Sequence, residues 1–345
     1  MRTIDLRSDT ITHPTEAMRE AMYRAEVGDD GWDDDPTVHR LQELAAEMMG
    51  KEAGLLVPSG TMGNLVSILT QAGRGDEVIL GDRSHAFGTE LGGISALGGV
   101  SVWPLPNDEW GRLDLNQVAG AIRGADVMRH PRTTLLVLET THNSCSGAVL
   151  PPEYMAAAAD VAHSRGVQVH LDGARIFNAA AALGVPAAAI AVHADSVTFC
   201  LSKGLSCPIG SLICGSAEFI TQARRTRRMV GGTMRQAGII AAAGIVGLTE
   251  MVDRLADDHA TARVLVEGLA NIPGLRLNPE VMQSNIVIFE PVTFDPDELV
   301  LRLADEGVRV SRFPGRLVRM VTHRGVTLDD ARDAVAITAR LILAG

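Results

Sequence analysis

The chain has 345 residues, 46% of them apolar and 21% charged, a balance that excludes disorder and fibre and suits two domains, or one large domain with an appendage. Its 31 Lys and Arg against 42 Asp and Glu leave a net charge of −11, so nucleic acid is not the expected partner, because a phosphate backbone calls for a basic surface. The opening MRTIDLRSDT has no apolar run after its first charge, and the uncharged stretch 237–248 is too short to span a bilayer. Neither a signal peptide nor a membrane segment is therefore expected, and the expected location is the cytoplasm. Cys145, Cys200, Cys207 and Cys214 form no C-x-x-C pair. They signal neither a metal site nor a redox motif and are expected to be reduced core thiols.

After an N-terminal arm at 1–15, predicted strands follow at 54–57, 77–80, 101–103, 134–139, 167–171, 196–200 and 210–214. Most are continuous apolar runs rather than strict alternations, which marks strands buried on both faces. Helical patterns lie between them, as at 152–164 and 174–183. Such alternation predicts an α/β domain with a mainly parallel seven-stranded sheet covered by helices on both sides. The loop LSKGLSCPI between the last two strands is too short for a crossover helix, so that pair is predicted antiparallel. A basic helix at 221–229 and the loop VGGTMRQAG lead into one long helix, from about 236 toward 269. The rhythm then changes to short strands at 275–277, 285–290, 308–311 and 317–322, with helices at 296–306 and 328–344. Thr327, with Asp330 three residues on, reads as the cap of the last helix. The predicted division is an arm at 1–15, a large domain at 16–250 and a small α+β domain at 251–345. No G-x-G-x-x-G follows the first strand, which counts against an NAD-dependent enzyme.

Ligands of open α/β sheets bind beyond the C-terminal ends of the strands, and three such ends are chemically suggestive. The first strand runs into Pro58-Ser59-Gly60-Thr61-Met62-Gly63-Asn64. Small residues there leave backbone N–H groups facing outward as an anion cradle, unless the turn is simply a helix cap. The strand at 167–171 ends in Asp172, a carboxylate that is costly to desolvate unless it meets a cation; capping the next helix is the plainer alternative. The strand at 196–200 ends in Leu201-Ser202-Lys203-Gly204-Leu205. Lys203 is either a solvated loop residue or an amine placed to condense with a carbonyl. An anion cradle, a strand-end Asp and a strand-end Lys together match what pyridoxal phosphate needs: a phosphate site, a partner for its ring nitrogen and an attachment point.

Asp5-Leu6-Arg7-Ser8-Asp9-Thr10, Gly28-Asp29-Asp30, Asp35-Pro36-Thr37-Val38, Pro58-Ser59-Gly60-Thr61 and Glu139-Thr140-Thr141-His142-Asn143 belong to a longer series. It continues with His170-Leu171-Asp172-Gly173-Ala174-Arg175, Leu201-Ser202-Lys203-Gly204-Leu205, Gly231-Gly232-Thr233-Met234-Arg235-Gln236 and Val318-Arg319-Met320-Val321-Thr322-His323. In order and spacing, this series resembles the low-specificity L-threonine aldolases nearly end to end. The resemblance implies a fold-type I pyridoxal-phosphate enzyme that splits β-hydroxy-α-amino acids into glycine and an aldehyde. A related β-eliminating lyase, or an aldolase with a bulkier substrate, is the alternative.

By the same resemblance Lys203 would hold the cofactor, beside Ser202, and Asp172 would pair with its ring nitrogen. His85 would stack on the ring, and Gly60 and Thr61 would serve the phosphate. Arg235 would reach the phosphate of a neighbouring subunit in a homotetramer built as a dimer of dimers. Ser8, Arg175 and Arg319 match positions that grip the substrate carboxylate, with Arg175 also placed at the cofactor. His85 and His142 both match positions near the β-hydroxyl, where a base titrating near neutrality is needed. The chain departs from the usual pattern at Trp32-Asp33, at Ser206-Cys207 and at Asn143-Ser144-Cys145-Ser146-Gly147. Trp32 falls in the stretch that lines the substrate side of the site in relatives.

Overall fold

A computed structural model describes residues 3–124 and 128–344. The first two residues of the expected arm and the last residue of the expected small domain lie outside that range. The strands are β1 (Ile4–Asp5), β2 (Ala53–Val57), β3 (Glu77–Gly81), β4 (Ser101–Leu105), β5 (Thr133–Glu139), β6 (Gln168–Asp172), β7 (Ser196–Cys200) and β8 (Ser211–Gly215). Then come β9 (Leu275–Arg276), β10 (Ile286–Pro291), β11 (Val308–Arg309), β12 (Ser311–Phe313) and β13 (Leu317–Val321).

The large sheet has the order β2-β8-β7-β6-β5-β3-β4. The pairs β3–β4, β3–β5, β5–β6 and β6–β7 are parallel, whereas β8 runs antiparallel to both β7 and β2. All seven predicted strands are present, and the short loop forces the reversal expected of it. Every residue of β3 and of β7 is buried, as runs with no polar alternation require. Five strands therefore end along one edge, and the turns after them carry the residues of interest.

The helix Gly60–Gln71 lies unusually close to β7. A Cβ on Gly60 would come within 2.7 Å of the Cys200 sulfur, and one on Gly63 within 2.5 Å of Thr198 Cγ2. Glycine at these two positions lets the helix N-terminus settle onto the strand end.

The long helix expected at 236–269 is two helices, Gly238–Glu250 and Leu255–Ala270. Neither Pro nor Gly marks the break, which comes from packing. The first helix buries Ala241, Ala243 and Leu248 in the core of the large sheet, while the second buries Ala262, Leu265, Val266 and Leu269 in a separate core around β10 and β13. One straight rod does not serve both. The strand expected at 308–311 also divides, because β11 pairs in parallel with β1 while β12 pairs antiparallel with β13. Thr327 and Asp330 exchange hydrogen bonds across the start of the helix Leu328–Ala344, as the sequence predicts. Among the described residues no helix is long and apolar enough to cross a membrane.

Candidate active site

At the end of β2, Ser59 caps the helix Gly60–Gln71: its hydroxyl accepts from the Met62 amide at 3.2 Å and its carbonyl from the Gly63 amide at 3.0 Å. The amides of Gly60 and Thr61 lie in the first turn and have no intrahelical acceptor. Cap and cradle, which the sequence leaves as alternatives, are thus compatible here. The positive end of the helix is available to an anion.

Asp172 closes β6 and is buried. One oxygen accepts from the Ala174 amide at 3.0 Å, so the residue does act as a local cap. The other accepts from Asn64 Nδ2 at 2.7 Å. Neutral donors brace this carboxylate, and no Lys or Arg forms an ion pair with it among the described residues. Lys203 follows β7 in a tight turn whose carbonyl accepts from Thr12 Oγ1 at 3.0 Å and from the Ser206 amide at 2.8 Å. Ser202 precedes it in the same turn.

His85 opens the short helix after β3, its amide held by Glu139 Oε2 at 2.6 Å and its Nδ1 lying 2.7 Å from Glu90 Oε1. One polar atom from each of His85, Glu90 and Asp172 lies within 4.8 Å of the other two. The hydrogen bond to Glu90 raises the His85 pKa above the ordinary histidine value, burial opposes this, and the charges of Asp172, Glu90 and Glu139 add to the rise. Glu139, at the end of β5, also accepts from the Asn143 amide at 2.8 Å. His142 is fully buried against Gly111, and neither ring nitrogen finds a hydrogen-bond partner among the described residues. Its nearest carboxylate, Glu139, is 3.7 Å away.

Arg175 and Arg319 are neighbours with different states. Arg175 is buried and gives two hydrogen bonds to Asp9, at 2.7 and 2.8 Å. Burial pushes the Asp9 carboxyl upward, but the Arg175 charge and hydrogen bonds, with Lys203 and Asn285, outweigh it and hold Asp9 well below the carboxylate range. Arg319, on β13, donates to Asn143 Oδ1 at 2.8 Å, while its buried Nε meets no acceptor among the described residues. Burial, reinforced by the charge of Arg175, lowers Arg319 to about 10. Ser8, next to Asp9, caps a single turn by accepting from the Thr10 amide at 3.2 Å. Thr141 adopts φ 50° and donates to the Arg175 carbonyl at 3.0 Å. A β-branched residue in that region is strained backbone, of the sort that concentrates at functional sites.

Two expected residues stand apart. Arg235 Nη1 lies 3.3 Å from both oxygens of Asp29, and Trp32, on the loop of Asp29, is 82% exposed. This loop is fastened by a buried ion pair, Arg227 Nη2 to Asp30 at 2.9 Å, and by Asp35, which accepts from the Gly28 and Gly238 amides. Five residues of the site carry no signal of their own in the sequence: Asn64, Glu90, Glu139, Asn143 and Asn285. All but Glu90 and Asn285 fall inside quoted motifs, yet only their contacts show what they do.

This set fits pyridoxal phosphate. It offers free helix-start amides over a close glycine contact, a strand-end carboxylate held by neutral donors, and a primary amine in the adjoining turn. The fold and the site together define a fold-type I pyridoxal-phosphate enzyme. Its backbone superposes on that of the Leishmania major threonine aldolase with a TM-score of 0.82, covering 98% of this chain and 99% of that one at 17% identity. Residues 5–291 match the β-eliminating lyase family. The chain is 48% identical to the probable low-specificity L-threonine aldolase 2 of Arabidopsis thaliana, over 95% of its own length and 94% of the relative's. Against the low specificity L-threonine aldolase of Escherichia coli it is 42% identical, over 96% and 97%. The chain belongs to the β-eliminating lyase family and, within it, to the low-specificity L-threonine aldolases. It is a lyase of the threonine-aldolase type.

Proposed function

We propose that the protein cleaves L-threonine, L-allo-threonine or bulkier β-hydroxy-α-amino acids between Cα and Cβ, giving glycine and an aldehyde. The observation that carries this reading is Arg319, a half-buried guanidinium whose buried Nε has no acceptor among the described residues. Beside it, Arg175 is already neutralised by Asp9. A planar fork with an open donor is what a carboxylate asks for, so Arg319 is the anchor for the amino-acid carboxylate. Arg175 stiffens the wall behind it, and Ser8 adds a hydroxyl from the N-terminal segment.

Pyridoxal phosphate, when bound, supplies the electron sink that makes loss of the Cβ fragment feasible. Lys203 holds it, with Ser202 alongside, and Asp172 keeps its ring nitrogen protonated. The Gly60 and Thr61 amides receive its phosphate. A histidine then removes the β-hydroxyl proton, and His85 and His142 are the candidates. In this reading the arm is 1–15, the cofactor domain 16–250 and the small domain 251–345, consistent with the two separate cores. The segments bearing Trp32 and Arg235, joined by the Arg235–Asp29 contact, serve a neighbouring subunit's site in a cytoplasmic dimer of dimers; the exposure of both side chains supports this.

The test combines borohydride reduction with product analysis. Reduction should bleach the yellow protein and fix the cofactor to the peptide containing Lys203. Threonine, allo-threonine and phenylserine should release glycine and the matching aldehyde. A 2-oxoacid and ammonia in place of glycine would establish the β-eliminating alternative and refute the aldolase reading.

A further inference from the structure

The hydrogen bonds around His85 form one continuous chain. Glu90 Oε1 faces His85 Nδ1 at 2.7 Å and accepts from Asn64 Nδ2 at 2.9 Å; the same Asn64 nitrogen donates to Asp172 Oδ2 at 2.7 Å. Behind it, Asn64 Oδ1 lies 3.3 Å from His170 Nε2, and His170 Nδ1 lies 2.8 Å from Ser196 Oγ. An amide nitrogen carries two hydrogens, and here each goes to a different carboxylate. The amide oxygen is left to accept from His170, so Asn64 has only one workable orientation. Glu90 is buried although it carries a carboxyl group and follows a surface helix; burial and the charge of Asp172 raise its pKa, and the hydrogen bonds with His85 and Asn64 oppose the rise. The chain turns straight after it through Leu91, a non-glycine residue at φ 53° that is almost fully exposed. The backbone accepts strain at Leu91 while the Glu90 carboxylate is turned inward.

A carboxylate on Nδ1 decides which nitrogen of an imidazole keeps its proton. With Glu90 accepting, the proton of neutral His85 resides on Nδ1, and the lone pair is on Nε2. His142 has no such partner: its nearest carboxylate is 3.7 Å away, too far for a hydrogen bond.

We propose that Glu90 is the positioning residue that makes His85, through Nε2, the base of the aldol cleavage, and that His142 is not the base. The inference rests on the aldolase reading and deepens it. In the step, the substrate β-O–H bond breaks and an Nε2–H bond forms. The oxygen pair becomes the new C=O π bond, and the Cα–Cβ pair leaves with Cα. The imidazolium so formed is stabilised by Glu90, and by Asp172 and Glu139, the other charged groups that face it.

The decisive variant is Glu90→Leu, which keeps much of the side-chain volume but removes the acceptor shared by His85 Nδ1 and Asn64, so that nothing holds the His85 proton on Nδ1; a glutamine oxygen could still take both hydrogen bonds and keep the tautomer. A misdirected tautomer of this kind removes a base without removing the residue. With threonine, kcat should fall about a hundredfold or more, the usual scale of general-base catalysis. KM should change little, and cofactor retention and colour should be kept, because Arg319, Lys203 and Asp172 are untouched. The surviving activity should keep its acid limb at a lower pH than the native one, since losing Glu90 lowers the pKa of His85. Glu90→Asp should recover part of the loss.

A second readout needs no turnover: nitrogen chemical shifts of histidine-labelled protein, with His85 assigned through His85→Asn. They should show an unprotonated Nε2 in the native protein above its pKa and a gain of protonated Nε2 in Glu90→Leu. A protonated Nε2 in the native protein, or native kcat and pH profile in Glu90→Leu, would overturn the proposal. Failure of the aldolase reading is separable, because the native protein would then release no glycine while the tautomer measurement still returns an answer.

Discussion

Replacing Asp9 by Asn should be among the most destabilising single changes available in this chain. Asp9 is fully buried and donates no side-chain hydrogen bond; it accepts three, two from Arg175 at 2.7 and 2.8 Å and one from Asn285 at 3.2 Å. Asn has the same shape but only one acceptor oxygen. Its amide nitrogen would meet donor N–H groups head on, and the Arg175 charge would stay buried without a counterion. Breaking one side of a buried ion pair costs about 3–5 kcal/mol, a large share of the roughly 5–15 kcal/mol that holds a native protein together. In urea unfolding followed by tryptophan fluorescence, the midpoint should drop by roughly 1 M, since m exceeds about 3 kcal/mol/M for a chain of this size. The pH dependence follows from the depressed native pKa of Asp9. Stability from a depressed carboxyl is present above its unfolded pKa of about 3.9 and is lost as pH falls toward the native one. The gap between native protein and Asp9→Asn should therefore be constant above about pH 5 and narrow below about pH 4. A gap under about 1 kcal/mol at pH 7, in the range of an exposed pair, or one unchanged in acid, would refute the argument.

Arg319→Ala should raise KM for amino-acid substrates by tenfold to a hundredfold, from a charge-assisted contact of about 1.5–3 kcal/mol, while cofactor affinity measured by spectral titration stays put. A loss of cofactor instead would assign Arg319 to another role. Ser206 sits at φ 62° with its buried hydroxyl unpartnered among the described residues. Ser206→Gly should thus stabilise the protein by about 1 kcal/mol, because strain relief and the lost desolvation cost exceed the added unfolded-state freedom; a lower urea midpoint would contradict this. Arg235→Ala mixed with Lys203→Ala should regain activity after subunit exchange if Arg235 serves its neighbour's site, and should not if it serves its own.

The sequence makes the sheet legible because burial on both faces leaves no room for alternation, so β3, β5 and β7 announce themselves by composition. It also makes Asp172 and Lys203 legible, because a charge beside a buried strand end carries a desolvation cost that shows within five residues. What answers each charge is not legible in that way. Asp9 and Arg175 are 166 residues apart, and no local pattern ties them. Strand β1 is two residues long and exists only because β11 lies beside it. The break at 251–254 depends on two cores that local periodicity treats as one.

His170 shows how far this indirect control reaches. In the sequence it is one more histidine in a strand. Burial lowers its pKa to about 4, so at neutral pH it carries a single ring proton, with Ser196 Oγ facing Nδ1 and Asn64 Oδ1 facing Nε2. Asn64 already uses both amide hydrogens on carboxylates, so its oxygen accepts that proton and Ser196 donates to the opposite ring nitrogen. A neutral core histidine thereby fixes the orientation of Asn64. Asn64 in turn bridges Asp172 and Glu90 with its two amide hydrogens, and Glu90 then decides which nitrogen of His85 is basic. Asp172 and Glu90 are thus held by Asn64 and His170, neutral residues whose part shows only in their contacts.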